Sequence, residues 1–244
     1  MTQQKKKLKM MAQESVKLLG FWSQHRTLRV RLALEAKGIA YEYQDEDFIR
    51  SKSELLLKMN PIDETVPVLI HNDKPIINPI VILEYIDDNW TQAPKFLPHD
   101  DTLMKAKLRI WANFVSDQVV ESMHPIALTQ GEELEKFLKS YYKNLQIVED
   151  GIKDLFGNGK PVIHNNNLNL LDLVIWSVLG PYKAFEEALD FSILDPLKYP
   201  LLHSRVSAIN ELEVTKKVMP DHSAMISFLK QFQQLMASKQ HATS

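Results

Sequence analysis

Residues 16–34 read VKLLGFWSQHRTLRVRLAL, a stretch that changes abruptly from a compact apolar run into a helical pattern. The apolar run over 16–22 is typical of a short buried strand. The leucines and valine that follow are interspersed with arginines, a pattern that predicts a basic amphipathic helix over 26–37. Gly38 then supplies the left-handed residue that ends many helices. The stretch therefore predicts a strand that leads directly into a helix.

The junction between this strand and helix carries Ser23, Gln24 and His25. A helix N-terminus favours ligands, especially anions, because free backbone N–H groups and the helix dipole point toward them. We expect these three residues to lie close to any small molecule that the protein binds. The hydroxyl of Ser23 also suits a helix N-cap, and we predict that structural role for it.

Patterns further along the chain predict a mixed first half and a helical second half. Up to residue 90 they indicate a strand at 41–45, a short helix at 53–59, strands at 66–70 and 75–78, and a helix at 79–90. Pro67 has no backbone N–H to donate to a neighbouring strand, so the strand that contains it is either an edge strand or carries an unusual peptide bond.

The second half begins after a proline-bearing linker, TQAPKFLP, at 91–98. Every periodic segment beyond it is helical, and we predict helices at 103–123, 132–156, 170–189, 201–211 and 223–237. Asn169 and Asp172 form a capping box before the most apolar of these helices. We expect an unstructured extension at 1–14, a first domain at 15–90, the linker at 91–98 and a helical domain at 99–244.

The composition is that of an ordinary globular protein and excludes several classes of function. The 244 residues carry a net charge of −2, which gives no argument for binding nucleic acid or an anionic membrane. Cysteine is absent, which excludes disulfides, thiolate metal sites and a cysteine nucleophile. The histidines show no ligand spacing, so no metal site is predicted. No stretch resembles a membrane span or a signal peptide, and we expect a cytoplasmic protein.

Six short motifs resemble those of the glutathione transferases, and specifically those of the plant tau class. They are LLGFW at 18–22, RVRLAL at 29–34, MNP at 59–61, VPVLIHN at 66–72, EYID at 84–87 and the Asn169 and Asp172 box before LVIW. The resemblance implies an α+β fold with a thioredoxin-like N-terminal half and an all-α C-terminal half. It also implies a cis Val66-Pro67 bond and, usually, a homodimer. A shared fold does not by itself establish the activity.

The catalytic triplet of the tau class is altered in this sequence. The family usually has Ala-Ser-Pro at the start of the first helix, where the serine hydroxyl activates the glutathione thiol. An ungapped alignment places Ser23, Gln24 and His25 at these three positions. Gln24 therefore occupies the catalytic position without a hydroxyl. Ser23 is one residue early, which turns its side chain by roughly 100° on a helix.

The resemblance also locates contacts that the family uses to hold glutathione. Lysines before the proline strand are replaced by Glu64 and Thr65, and a Glu-Ser pair at the third helix is replaced by Asn78 and Pro79. Each lost charge-assisted hydrogen bond costs about 1.5–3 kcal/mol of binding free energy. Lys52 and the backbone of Val66 are the remaining candidate glutathione contacts. We therefore expect no glutathione cofactor.

The family's second ligand site lies between the two halves. By local alignment it is lined by Phe21, His25, Val120, His124, Pro181, Phe228 and Phe232. Together these residues predict an apolar cavity for a hydrophobic small molecule, with Ser23, Val66 and Asn78 as further contacts. Because histidine titrates near neutral pH, His25 and His124 are candidate catalytic acid and base groups, and Gln24 and Asn78 are candidate hydrogen-bonding groups.

These expectations leave three hypotheses for the function. The first is a protein that acts on a hydrophobic plant specialised metabolite without glutathione, by isomerisation, elimination or cyclisation. The second is a non-catalytic carrier of such compounds. The third is a glutathione transferase with a rearranged site that uses Ser23.

Overall fold

A computed structural model of the protein describes residues 14–47, 51–129 and 131–243. Apart from Glu14, the extension expected at 1–14 lies outside the described residues. The expected order of a mixed first half and a helical second half is observed in the described residues.

The first half is built on a mixed sheet of four strands in the order β2-β1-β3-β4. Strand β1 (Val16–Gly20) lies in the interior, parallel to β2 (Glu42–Asp45) and antiparallel to β3 (Val68–His71), which in turn pairs with β4 (Lys74–Ile76). Leu18 and Leu19 are fully buried on opposite faces of β1, since successive side chains of a strand alternate. The strand predicted from the opening stretch is thus the interior strand of the sheet.

The helix that follows, α1 (His25–Lys37), begins one residue earlier than expected. Its N-cap is therefore Gln24, and the prediction that Ser23 is the cap is wrong, because Ser23 lies in the preceding turn. Gly38 ends the helix at a φ of 66°, the left-handed conformation that glycine adopts without a steric penalty.

The region around the proline strand follows the family pattern. Helix α2 (Glu54–Met59) precedes it and α3 (Pro79–Asn89) follows the hairpin. The Val66-Pro67 bond is cis, as the resemblance implies. Strand β3 begins after this bond and is an interior strand, so the alternative of an edge strand is wrong.

The second half opens with one long helical run that is not regular throughout. Helix α4 (Thr102–Phe114) passes through a π-helical turn (Val115–Val119) into α5 (Val120–Met123) and a 3₁₀ turn (His124–Ala127). The remaining helices are α6 (Gly131–Phe156), α7 (Leu170–Leu179), α8 (Tyr182–Leu189), α9 (Pro200–Asn210), α10 (Glu213–Lys216) and α11 (His222–Thr243).

Helix α7 lies at the centre of this half, and all ten of its residues are buried. Its capping box forms as predicted: Asp172 N–H donates to Asn169 Oδ1 at 3.1 Å, and Asn169 N–H donates to Asp172 Oδ2 at 3.0 Å. The single helix predicted over 170–189 is wrong, because Pro181 separates α7 from α8. Proline lacks the N–H that a continuous helix needs at that position.

A buried ion pair ties the linker to the first half. Lys37 Nζ lies 2.9 Å from Asp87 Oδ1 and also donates to the carbonyl oxygens of Trp90 and Gln92. The same carboxylate accepts the backbone N–H groups of Phe96 and Leu97, each at 3.0 Å. The two charged side chains are 0% and 3% exposed, so the pair is shielded from solvent.

Candidate functional site

Hydrogen bonds hold the junction of β1 and α1 in a defined turn. Phe21 N–H donates to Thr27 Oγ1 at 3.1 Å, and the Thr27 hydroxyl donates to Gln24 Oε1 at 3.3 Å. Ser23, Gln24 and His25 are all half-buried there. The three residues predicted to lie close to a ligand therefore share one ordered turn.

Among the three residues of this turn, His25 has the most unusual environment. Its ring is half-buried, and its Nε2 is shielded from solvent without a hydrogen-bond partner among the described residues. Burial, followed by the charges of Arg29 and Arg26 and by His124, lowers the pKa of His25 well below its ordinary value of 6.5. The imidazole is therefore neutral at neutral pH.

This lowered pKa predicts a contribution of His25 to acid instability. At a pH between the folded and unfolded pKa values, the unfolded chain binds more protons, so the free energy of unfolding falls as the pH drops below 6.5. In His25→Gln this part of the loss is expected to disappear. Urea unfolding of both proteins at about pH 7.5 and about pH 5 measures the difference. Equal losses in the two proteins would contradict a lowered pKa.

An apolar cavity of about 270 Å³ lies on one side of His25. The structure brings together there all the residues expected to form the second ligand site: Phe21, His25, Val120, His124, Pro181, Phe228 and Phe232, with Ser23 and Gln24 beside them. Met123, Ala127 and Phe185 also line it and were missed. Positions 123 and 127 follow Val120 at helical spacing, a signal that could have found them.

Aromatic side chains from α11 and from the residues after β1 pack together at this cavity. The ring centroid of Phe228 on α11 lies 5.4 Å from that of Phe21 and 5.7 Å from that of Trp22. Phe232, one turn further along, stacks on Phe228 at 6.1 Å. Aromatic pairs at these distances are favourable beyond the area that they bury. Helix α11 is thereby fixed against the first half of the chain.

A second, polar cavity of about 750 Å³ lies on the other side of His25. Val66 and Asn78 line this cavity and not the apolar one, so the predicted substrate-binding residues are divided between the two cavities. The family's motifs place them at the glutathione end of the site, which the sheet and α3 form, whereas the aromatic residues come mostly from the helical half.

Lys52, the remaining candidate cation for glutathione, lies at neither cavity. Its Nζ is 2.8 Å from Glu64 Oε2, so the acidic residue at one of the family's lysine positions pairs with it. Glu64 has a φ of 52°, and the loop around it is held by Asn60, whose Nδ2 donates to the carbonyl of Thr65 at 2.9 Å. The local backbone thus directs Glu64 toward Lys52.

Asn78 has a strained backbone at the start of α3. Its φ of 68° and ψ of 118° lie outside the regions that non-glycine residues normally adopt, which costs of the order of 1–3 kcal/mol. Its Oδ1 accepts the N–H groups of Ile80 and Val81 at 3.0 and 3.3 Å. The side-chain oxygen is therefore engaged in capping the helix, and Pro79 offers no N–H beside it.

Arg29 is a residue of the polar cavity that the sequence did not single out. It is 1% exposed, whereas the pattern placed it on the basic face of the helix. Its Nε donates to Ser177 Oγ at 3.2 Å and its Nη1 to Ser116 Oγ at 2.7 Å. Its Nη2 has no hydrogen-bond partner among the described residues. Burial, with a smaller effect of Arg26, lowers the pKa of Arg29 to about 9, so the side chain remains cationic at neutral pH.

No cluster of three or more histidine, aspartate or glutamate side chains in the described part of the chain could hold a metal ion. No helix in the same residues is long and apolar enough to cross a membrane.

Comparisons with known proteins agree with the motifs. A model of the glutathione S-transferase N-terminal domain matches residues 14–88. Glutathione S-transferase U10 of Arabidopsis thaliana is 36% identical over 217 residues, which are 89% of this chain and 92% of that protein. Glutathione S-transferase U9 of the same plant is 35% identical over 229 residues, 93% of this chain and 95% of that protein.

Solved structures give the same result for the fold. The tau class glutathione S-transferase of mango, Mangifera indica, has a TM-score of 0.79 at 32% identity and covers 91% of this chain and 98% of that one. Rice GST1, solved in complex with glutathione, has a TM-score of 0.80 at 25% identity and covers 91% of this chain and 97% of that one. The fold prediction, a thioredoxin-like half followed by a helical half, is confirmed. This chain belongs to the tau class of the glutathione S-transferase family.

Proposed function

We propose that this tau-class protein binds a hydrophobic small molecule in its apolar cavity and transfers a proton on it without using glutathione. The observation that supports this proposal most strongly is the environment of His25. The residue lines both cavities, and its imidazole is neutral at neutral pH and has an unpartnered Nε2. A positioned neutral imidazole is a general base.

The side chains present do not fit glutathione as the family holds it. Lys52 is neutralised by Glu64, so an anionic end of the tripeptide would meet an ion pair in place of a free cation. The Oδ1 of Asn78 is bound to two backbone N–H groups, and Pro79 has no hydroxyl. Gln24 offers no hydroxyl to a thiol. These departures support a function that does not use the tripeptide.

The chemistry that fits a base without a cofactor is proton transfer on carbon. In an isomerisation, His25 removes a proton from a carbon next to a carbonyl group, and the electron pair of the C–H bond moves into a new double bond. The imidazolium then returns the proton to another carbon, so the reaction needs no further reactant. The Gln24 side chain lies beside the same cavity and can donate to the carbonyl oxygen. Elimination and cyclisation begin with the same proton removal.

Removal of the base is expected to lower turnover by about 100-fold or more. Hydrophobic β,γ-unsaturated ketones would be incubated with the wild type and His25→Ala in deuterated water, and isomerisation and deuterium uptake followed by mass spectrometry. His203→Ala is a matched control, because His203 is also half-buried but lines neither cavity and contacts Tyr182. Unchanged turnover in His25→Ala would exclude His25 as the base, and His124→Ala would test the second histidine of the cavity.

A carrier is the second candidate function. The low pKa of His25 favours it, because a weakly basic imidazole is a poor base toward carbon acids. Tight binding of the ketones without isomerisation or deuterium uptake would support the carrier. Retention on immobilised glutathione with conjugation of a generic electrophile would contradict both candidates and favour a rearranged site at Ser23.

The family's homodimer is also part of the proposal. Val81 on α3 and Ile110 on α4 are 53% and 64% exposed, and the two helices are joined by an ion pair between Glu84 and Arg109. Exposed apolar side chains on neighbouring helices suit an interface with a second copy.

A further inference from the structure

The guanidinium of Arg29 is a buried cation without an anionic partner. Two of its nitrogens bind the neutral hydroxyls of Ser116 and Ser177, and Nη2 binds nothing among the described residues. Buried charges in proteins are normally paired, because an unpaired one has lost its hydration without compensation. The side chain lines the polar cavity while Nη2 itself is shielded from solvent, so a ligand anion that pairs with Nη2 would be buried together with it.

The acidic residues of the cavity do not supply it. Asp63 and Asp117 line the same cavity but are exposed, and neither forms an ion pair with Arg29 among the described residues; the charge of Asp117 raises the pKa of Arg29 by less than burial lowers it. Arg26 adds a second positive charge at the cavity wall. Ser116 accepts from Arg29, and its own hydroxyl hydrogen can be donated to a ligand. The inner part of the cavity is therefore suited to an anion.

The position of His25 connects this anion-binding group to the apolar cavity. His25 lines both cavities, with the aromatic residues on one side and Arg29 on the other. We propose that the ligand is a hydrophobic carboxylic acid, with its apolar body in the apolar cavity and its carboxylate at Arg29. This inference rests on the proposed function, since it names the class of molecule that the apolar cavity takes.

Binding of a matched pair of probes tests the inference. We expect the wild type to bind 2-naphthoate about tenfold to a hundredfold more tightly than 2-naphthamide at neutral pH, because only the former can form a charge-assisted hydrogen bond to Arg29. Arg29→Gln is expected to bind both probes equally. Arg31→Gln is the matched control, because Arg31 lies on the same helix, lines neither cavity and packs over the ring of Tyr43.

A second variant separates loss of the site from loss of the fold. Ser116→Asp places a carboxylate at the position whose oxygen is 2.7 Å from Nη1 of Arg29. It should pair with the guanidinium, abolish the preference for naphthoate and leave the midpoint of thermal unfolding at or above that of the wild type. A ligand preference lost in a protein of undiminished stability can only be a property of the site.

The remaining outcomes each decide the question. Equal binding of the two probes to the wild type would show that the protein does not recognise the carboxylate and would overturn this inference. It would not contradict binding of a hydrophobic molecule in the apolar cavity. A preference that persists in both Arg29→Gln and Ser116→Asp would place the anion elsewhere and overturn the role of Arg29. Failure of the wild type to bind either probe would overturn this inference, while the isomerisation assay would still test the proposed function.

Discussion

Restoring the family's residues at four positions is expected to raise the affinity for glutathione by at least about a thousandfold. The variant combines Gln24→Ser, Glu64→Lys, Asn78→Glu and Pro79→Ser. It removes the carboxylate that pairs with Lys52 and returns, besides the catalytic hydroxyl at position 24, three charged or hydroxyl contacts at positions 64, 78 and 79, each contributing about 1.5–3 kcal/mol to binding. Titration calorimetry with glutathione measures the change.

A charge control and a partial variant make this result specific. Asp150→Lys makes the same change of charge as Glu64→Lys but lies exposed on α6, and it is expected to leave the affinity unchanged. Gln24→Ser alone returns only the thiol-activating hydroxyl and is expected to add little affinity. If the wild type bound glutathione as tightly as the quadruple variant does, this would contradict the proposal that the native site does not bind glutathione.

Removing the carboxylate of Asp87 is expected to lower the free energy of unfolding by about 3–5 kcal/mol. In Asp87→Ala the ammonium of Lys37 stays buried without its counter-ion, and the N–H groups of Phe96 and Leu97 lose their acceptor. Breaking one side of a buried pair costs more than the pair contributes in total, because the remaining charge is uncompensated. Urea unfolding with an unchanged m-value measures the loss.

An exposed ion pair serves as the comparison for this prediction. Lys107 and Asp154 lie 3.1 Å apart on α4 and α6, with 40% and 66% of their side chains exposed. Asp154→Ala is expected to cost less than about 1 kcal/mol, since water screens the charges in both states. Similar losses of unfolding free energy in the two variants would contradict the prediction, because burial would then not make the Lys37 and Asp87 pair more important for stability than an exposed pair.

The features that were correctly predicted are those with a local cause. Gly38 ends α1 because a left-handed residue is needed there, and the Asn169 and Asp172 box depends on residues three positions apart. Pro79 occupies the first turn of α3, where its missing N–H is harmless. The residues of the apolar cavity were predicted from their positions in the family's fold. This prediction holds because the chain has the same fold.

The features that were missed depend on contacts between distant segments. Arg29 stands on a helix rich in arginine, and only the packing of α1 against the helical half makes it buried. Ser23 is not the cap because the helix begins at His25, which makes Gln24, whose side chain accepts from the Thr27 hydroxyl, the residue before the helix. The pairing of Glu64 with Lys52 depends on a positive φ that no local pattern indicates.

The π-helical turn at Val115–Val119 has a consequence for comparing relatives of this protein. A π turn accommodates one more residue than an α turn, so every side chain after it is rotated by about 100° from where regular counting would place it. Val120 and His124 follow the turn, and they face the apolar cavity in that rotated register. A relative that lacks one residue here and has a regular α-helix would therefore present its aligned side chains in the same direction, whereas an alignment without a gap at this turn would compare side chains that face different ways.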